Sequence, residues 1–248
     1  MTALTAEFVK LNVDAIVATG APTYRALQLT TTIPVIMTVG ADPVREGWAA
    51  SMARPGGHLT GLTSAAVDVG PKLLELLIAV VPKLSRVAVM THPDNAAHPP
   101  QLLRIMSVAQ KVGIQVVLAE PHTSEGIERE FATMAKQRVG ALIILNDTFY
   151  VQRLRQFAEQ SLRYRLPSIS SLSEYAELGG IMSYGPDLVD NFKRAATYVD
   201  KILKGAKAGE LPIEQPTRYQ LAVNRKTAKA LGLTFPQSVM LSANQVIE

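Results

Sequence analysis

Five polar turns hold most of the side chains that could do chemistry. They read ATGAPT (18–23), GADP (40–43), THPDNAAH (91–98), NDTFY (146–150) and SYGPD (183–187), each after a short apolar run and before a helical pattern. In the first, Thr19, Gly20 and Thr23 could hold an anion or carboxylate through backbone N–H groups and a hydroxyl at a helix start. The same threonines could equally serve only as helix caps. Asp42, just before Pro43, reads as an N-cap. Asp94 and Asn95 are good turn residues with polar ends to offer. Asp147 sets a charge beside Phe149, whose ring could stack on a flat ligand or pack beneath the next helix. Ser183 and Tyr184 bring hydroxyls to a strand end, with Asp187 placed to cap a helix that begins at Leu188.

These turns are equipped to bind, and the motifs of catalysis are missing. The sequence has no Gly-x-Gly-x-x-Gly after a strand, no phosphate-loop Gly-Lys-Ser/Thr and no Gly-x-Ser-x-Gly nucleophile turn. His92 and His98 stand six apart, which is not the i, i+4 pairing of a helical metal site, and no third ligand accompanies them. With no cysteine there is neither a thiolate nucleophile nor a Cys-ligated metal. No catalytic residue, metal or cofactor is therefore assigned. An enzyme acting on a phosphorylated or nucleotide substrate would have to use Asp147 or His92 as its acid or base.

The elements that position the turns are legible from periodicity. Runs rich in Val, Ile, Leu and Met without alternation predict strands buried on both faces at 14–18, 34–39, 86–91, 114–119, 140–145, 167–170 and 180–183. Helical patterns lie between them at 3–11, 23–29, 44–52, 67–81, 100–112, 124–137, 150–164 and 188–204. The alternation predicts an α/β protein with doubly wound parallel sheets. A (β/α)8 barrel would need eight cleanly repeating units. ARPGGHLTGLTSA (53–65) and GAKAGELPIEQPTRYQLAVN (205–224) break the rhythm and read as crossings between two lobes. In such sheets ligands sit beyond the carboxyl ends of the strands, the edge that all five turns occupy.

Composition agrees with a folded chain: 48% hydrophobic residues, 19% charged and a net charge of +4 over 248 residues. The basic residues are scattered over helix faces, so no nucleic-acid partner is expected. The longest apolar run, Leu73 to Val81, carries Glu75 and falls far short of the ~20 residues that cross a bilayer. The first residues lack the basic and apolar regions of a secretory signal.

TTTIPVIMTVGADPVREGWAASMARPGGHLTGLT, SRVAVMTHPDN and EYAELGGIMSYGPDLVDNFKRAATYVDKILKGAKAGELPIEQPTRYQLAVNRKTAKALGL together resemble the substrate-binding proteins of ABC transporters, in the family whose better-known members bind tryptophan and other aromatic amino acids. The likeness covers nearly the whole chain. It implies the type I periplasmic-binding fold, two α/β lobes that trap a ligand in a cleft by hinge closure. The lobes would comprise 1–62 with 182–214, and 63–181 with 215–248. The turns near 20, 42 and 184 would belong to the first, and those near 95 and 148 to the second. The implied function is capture of a small organic ligand, an aromatic amino acid or aromatic carboxylate, for a membrane permease, at a periplasmic or extracellular location. Members of the family begin with an export signal and a strand-helix-strand segment, whereas this chain starts at the helix that follows. A truncated first lobe is therefore expected, with apolar edges that favour self-association. Without an export signal, a cytoplasmic ligand-sensing domain is the competing assignment.

Overall fold

A computed structural model describes residues 2–40, 42–64, 66–95 and 97–248. The chain divides into two units, residues 1–65 with 186–218 and residues 66–185 with 219–248. Unit 1 begins with α1 (Thr2–Lys10), β1 (Ile16–Thr19), α2 (Ala21–Leu29), β2 (Val35–Val39) and β3 (Leu59–Leu62). Unit 2 follows with α3 (Ala66–Val80), β4 (Arg86–Met90), α4 (His98–Lys111), β5 (Gln115–Ala119), α5 (Ser124–Lys136), β6 (Ala141–Ile144), α6 (Thr148–Val151), α7 (Leu154–Arg163), β7 (Ser168–Ser170), α8 (Glu174–Glu177) and β8 (Met182–Pro186). The chain returns to unit 1 for α9 (Leu188–Leu203) and β9 (Ile213–Glu214). It ends in unit 2 with β10 (Tyr219–Asn224), α10 (Arg225–Ala230), α11 (Gln237–Ser242) and β11 (Gln245–Ile247).

Unit 1 holds a sheet ordered β1-β2-β3-β9, and all of its pairings are parallel. One face packs Ile16, Val35, Met37 and Leu59 against Ala26 of α2 and Ile33. The other packs Ile36 and Leu62 against Ala195, Tyr198 and Ile202 of α9. The buried positions of α9, Asn191, Ala195, Tyr198 and Ile202, follow the 3.6-residue period that lays one stripe on a sheet. Strands covered on both faces are apolar at most positions, which is why 34–39 reads as a run interrupted only by Thr38. Gly61 of β3 has φ of 117°, and a Cβ there would overlap the Met37 carbonyl oxygen, so only glycine lets these two strands pair.

Unit 2 holds the sheet β11-β10-β8-β7-β6-β4-β5. Val87 and Val89 of β4, Ile143 of β6, Ile169 of β7 and Met182 of β8 join Leu73 and Leu77 of α3 and Ile105 of α4 in one core. Each buried Leu or Ile contributes about 1.5–3 kcal/mol relative to leaving it exposed.

The structure departs from the sequence reading at several places. Residues 44–52 are not a helix: Trp48 N bonds Pro43 O at 2.8 Å, then Gly47, with φ of 75°, ends a single turn. Val44, Trp48 and Met52 mimic helical spacing, and Gly47 prevents it. The helix expected over 150–164 is broken into α6 and α7 at Gln152 and Arg153. Within the 53–65 stretch the piece at 58–63 forms a buried inner strand, β3, and the chain passes between units at the end of that stretch, after residue 65. Ser183 and Tyr184 lie in unit 2, because β8 pairs with β7 through Ile169↔Met182 and Ser170↔Ser183.

Candidate functional site

In each unit the turns that follow parallel strands gather on one sheet edge. In unit 1, β1 ends at Thr19, whose Oγ1 lies 2.5 Å from the Oγ1 of buried Thr38 in β2. Gly20 then takes φ 63° and ψ −134°, a conformation that carries the chain straight from strand into α2 and is closed to residues with a Cβ. The α2 N-cap is this glycine, and no side chain caps it. The capping role open to Thr19 and Thr23 is thus not what they do. Thr23 is completely buried, and its hydroxyl has no hydrogen-bond partner among the described residues. A buried hydroxyl left unpaired is costly, about 1–3 kcal/mol, which makes Thr23 Oγ1 a candidate ligand contact.

Asp42 is exposed and accepts from Val44 N at 3.0 Å and Arg45 N at 3.3 Å, so it caps the single turn that replaces the expected helix. Behind these turns, Asn191 at the start of α9 donates from Nδ2 to Thr38 O at 3.1 Å and Thr63 O at 3.3 Å. Ser64 donates through both N and Oγ to Gly40 O, at 3.1 and 3.0 Å. The ends of β2 and β3 are therefore fixed by buried amide and hydroxyl bonds. Asp187 caps α9 as expected, accepting from Asp190 N at 3.0 Å. Tyr24 of α2 meets Trp48 edge-on at 3.8 Å between centroids.

In unit 2 the turns after β4 and β6 are joined. Asn95 Nδ2 donates to Asp147 Oδ2 at 2.9 Å, while Asn95 Oδ1 accepts from Ala97 N at 3.1 Å. Asp147 Oδ1 accepts from Phe149 N at 2.7 Å and so caps α6. The Tyr150 hydroxyl reaches Thr91 O at 2.5 Å and Pro121 O at 3.3 Å, tying α6 to the turns after β4 and β5. Burial, with the Asp147 charge second, pushes the Tyr150 hydroxyl far above its ordinary range, so it stays a donor. Phe149 is half-buried. The Arg153 guanidinium lies 3.7 Å over its ring, and the His92 ring stands 5.8 Å away. His92 also meets His122 at 5.4 Å. Phe149 thus packs against protein groups, with Arg153 over its ring and His92 beside it.

Asp94 lies exposed in the same turn. Ser183 is buried, and its hydroxyl donates to Ser173 O at 3.1 Å, so it latches β8 and presents nothing outward. Tyr184 is half-buried and stacks on Tyr219 at 5.7 Å and 12°. Asn95, Asp147 and Phe149 thus form one group with His92. Thr19, Gly20 and Thr23 form another in unit 1. Among the described residues no cluster of three or more His, Cys, Asp or Glu could hold a metal ion. Residue patterns alone overlooked Arg153, which lies over nearby Phe149, and Thr38 and Asn191, whose partners lie far along the chain.

A doubly wound parallel protein in two units, each with a polar strand-end edge, has the build of a solute-binding protein. The chain belongs to the ABC transporter substrate binding protein family, whose model matches residues 1–247. That family consists of solute-binding proteins and not of enzymes, and its members are typically periplasmic or extracellular. A tyrosine-binding protein of Clostridioides difficile is 25% identical over 231 residues, 93% of this chain; the chain spans 66% of that relative's length, just under two thirds. Two solved structures share the fold at a TM-score of 0.89. One is an ABC domain in complex with L-Trp from Streptococcus pneumonia, 23% identical, with 99% of this chain and 83% of that one covered. The other is a conserved domain protein from Vibrio cholerae, 24% identical, with 99% and 82% covered. The fold is of the type I periplasmic-binding kind. No helix of the described residues is long and apolar enough to cross a membrane.

Proposed function

We propose that this protein is the receptor of an ABC importer and that its ligand is an aromatic amino acid. The candidate ligand contacts lie on the strand-end turns of each unit. Thr19, Gly20 and Thr23, at the start of α2, take the carboxylate, and Asp42 lies on the same edge. Phe149, with His92, Asp94, Asn95 and Asp147 around it, takes the ring and the ammonium group. Tyr184 adds a further aromatic surface, with Ser183 holding its strand. The partner that receives the ligand is a membrane permease. The observations that carry this reading are a buried Thr23 hydroxyl with no partner among the described residues at a helix start in one unit, and in the other an aromatic ring beside His92 with Asp147 held by Asn95 in the same turns. The tyrosine-binding relative and the L-Trp-bound structural neighbour support the choice of ligand.

A thermal-shift panel tests it. L-tyrosine and L-tryptophan at 100 times Kd should stabilise the protein by about 2.7 kcal/mol, while branched-chain amino acids and nucleotides leave it unmoved. Stabilisation by a nucleotide or an aliphatic amino acid alone would overturn the assignment.

A further inference from the structure

His98 occupies the first position of α4, is only 2% exposed and is paired at both ring nitrogens. His92 N–H donates to Nδ1 at 2.7 Å, so Nδ1 must carry a lone pair. Nε2 lies 3.0 Å from Asn146 O, which can only accept, so Nε2 must carry the proton. The two neighbours together select one neutral tautomer. The ring spans the turns after β4 and β6, adjacent strands that pair through Val89↔Ile143. His98 N also donates to Asn95 O at 2.9 Å, linking the imidazole to the residue that grips Asp147.

We propose that His98 is a positioning residue: as the neutral Nε2–H imidazole it holds the β4 and β6 turns of unit 2 in their ligand-facing arrangement, and its protonation releases them. The proposal rests on the reading of these turns as a ligand edge. Charging His98 adds a proton at Nδ1, where the His92 N–H already points, and sets donor against donor. The interaction that orients His92 and, through it, Phe149 would be lost. The groups that face the imidazole are the Asp147 carboxylate, which favours its charge, and His92, which opposes it. Asp147 is itself held by Asn95 Nδ2 and Phe149 N. Burial outweighs these influences and lowers the His98 pKa from the ordinary imidazole value. Ligand affinity should therefore hold through neutral pH and fall in acid, as suits a receptor that must let its cargo go.

The test has a structural and a binding arm. Long-range 1H–15N NMR of the imidazoles should show His98 as the Nε2–H tautomer at pH 7, titrating below 6.5, with amide protection at His92 and Phe149 lost in step. His98→Gln supplies an acceptor and a donor without a titrating ring, so protection in that variant should not follow pH. His92→Gln keeps its backbone N–H, and the acid loss should persist there. In calorimetry, wild-type affinity for L-tyrosine should fall by roughly ten-fold or more between pH 7 and pH 5, and the fall should be absent in His98→Gln. A His98 that carries its proton on Nδ1, or protection at His92 that ignores its titration, overturns the proposal. If the wild type binds neither tyrosine nor tryptophan, the function proposed above fails, and the NMR arm still decides the role of His98.

Discussion

Replacing Tyr150 with phenylalanine removes one oxygen from a completely buried side chain and nothing else. The ring keeps its edge-to-face contact with Phe157 at 5.3 Å, so no large cavity opens. What is lost is the hydroxyl that donates to Thr91 O at 2.5 Å and lies 3.3 Å from Pro121 O. Thr91 is 3% exposed, so water cannot easily reach the orphaned carbonyl. The expected cost is about 1–2 kcal/mol, the net value of a hydrogen bond plus the penalty of a buried unpaired acceptor. For a unit of this size that lowers the melting temperature by about 2–4 °C per kcal/mol. Because burial raises the Tyr150 pKa far above the working range, the hydroxyl donates at every usable pH, and the loss should be the same at pH 6 and pH 9. Urea unfolding should show a lower midpoint at unchanged slope. A loss below about 0.3 kcal/mol would refute the claim that this hydroxyl laces the turns together, and so would a loss that vanishes on raising the pH.

Three further outcomes follow from the same physics. Thr23→Val exchanges an unpaired buried hydroxyl for a methyl group of similar shape, so stability should hold or rise by up to about 1 kcal/mol while affinity for L-tyrosine drops; calorimetry and thermal melts separate the two effects. Gly61→Ala forces a Cβ onto the Met37 carbonyl at a φ of 117° and should cost about 3 kcal/mol or more in thermal melts, whereas substitution at exposed Glu7 should cost less than ~0.5. His98 and His58 both have pKa values lowered chiefly by burial, so the unfolded chain takes up protons first as pH falls. Stability is then fully present above about 6.5, declines as pH drops from there to the folded pKa values and levels off below them, which urea midpoints between pH 8 and pH 4.5 would trace.

How far the residues announce this structure depends on the range of the interaction. RVAVM at β4 and ALII at β6 announce themselves because strands covered on both faces admit little but apolar side chains. The buried stripe of α9 is equally plain, since Asn191, Ala195, Tyr198 and Ile202 fall on one face and Asp187 stands ready as its cap. The stretch 44–52 misleads because its apolar spacing is helical and only the conformation of Gly47 rules a helix out. At the candidate site the turns could be located, but the duties of their side chains could not. Thr23 looks like a cap until the backbone of Gly20 shows that no side chain caps α2. His98 reads as a turn residue weighed for metal, yet its partner carbonyl is Asn146, 48 residues away. The Tyr150 hydroxyl finds Thr91 at a separation of 59. Short-range pattern fixes elements, and pairings of this span come only with the topology that brings β4 beside β6.

The central claim, that the strand-end turns of both units bind an aromatic amino acid, is tested most directly by mapping amide chemical shifts during titration with L-tyrosine. The account predicts saturable changes concentrated at Thr19–Thr23 in unit 1 and at His92–Asn95 and Asp147–Tyr150 in unit 2, with L-leucine leaving the spectrum unchanged. Changes confined to other surfaces, or a spectrum that L-tyrosine and L-tryptophan leave untouched at millimolar concentration, would contradict it.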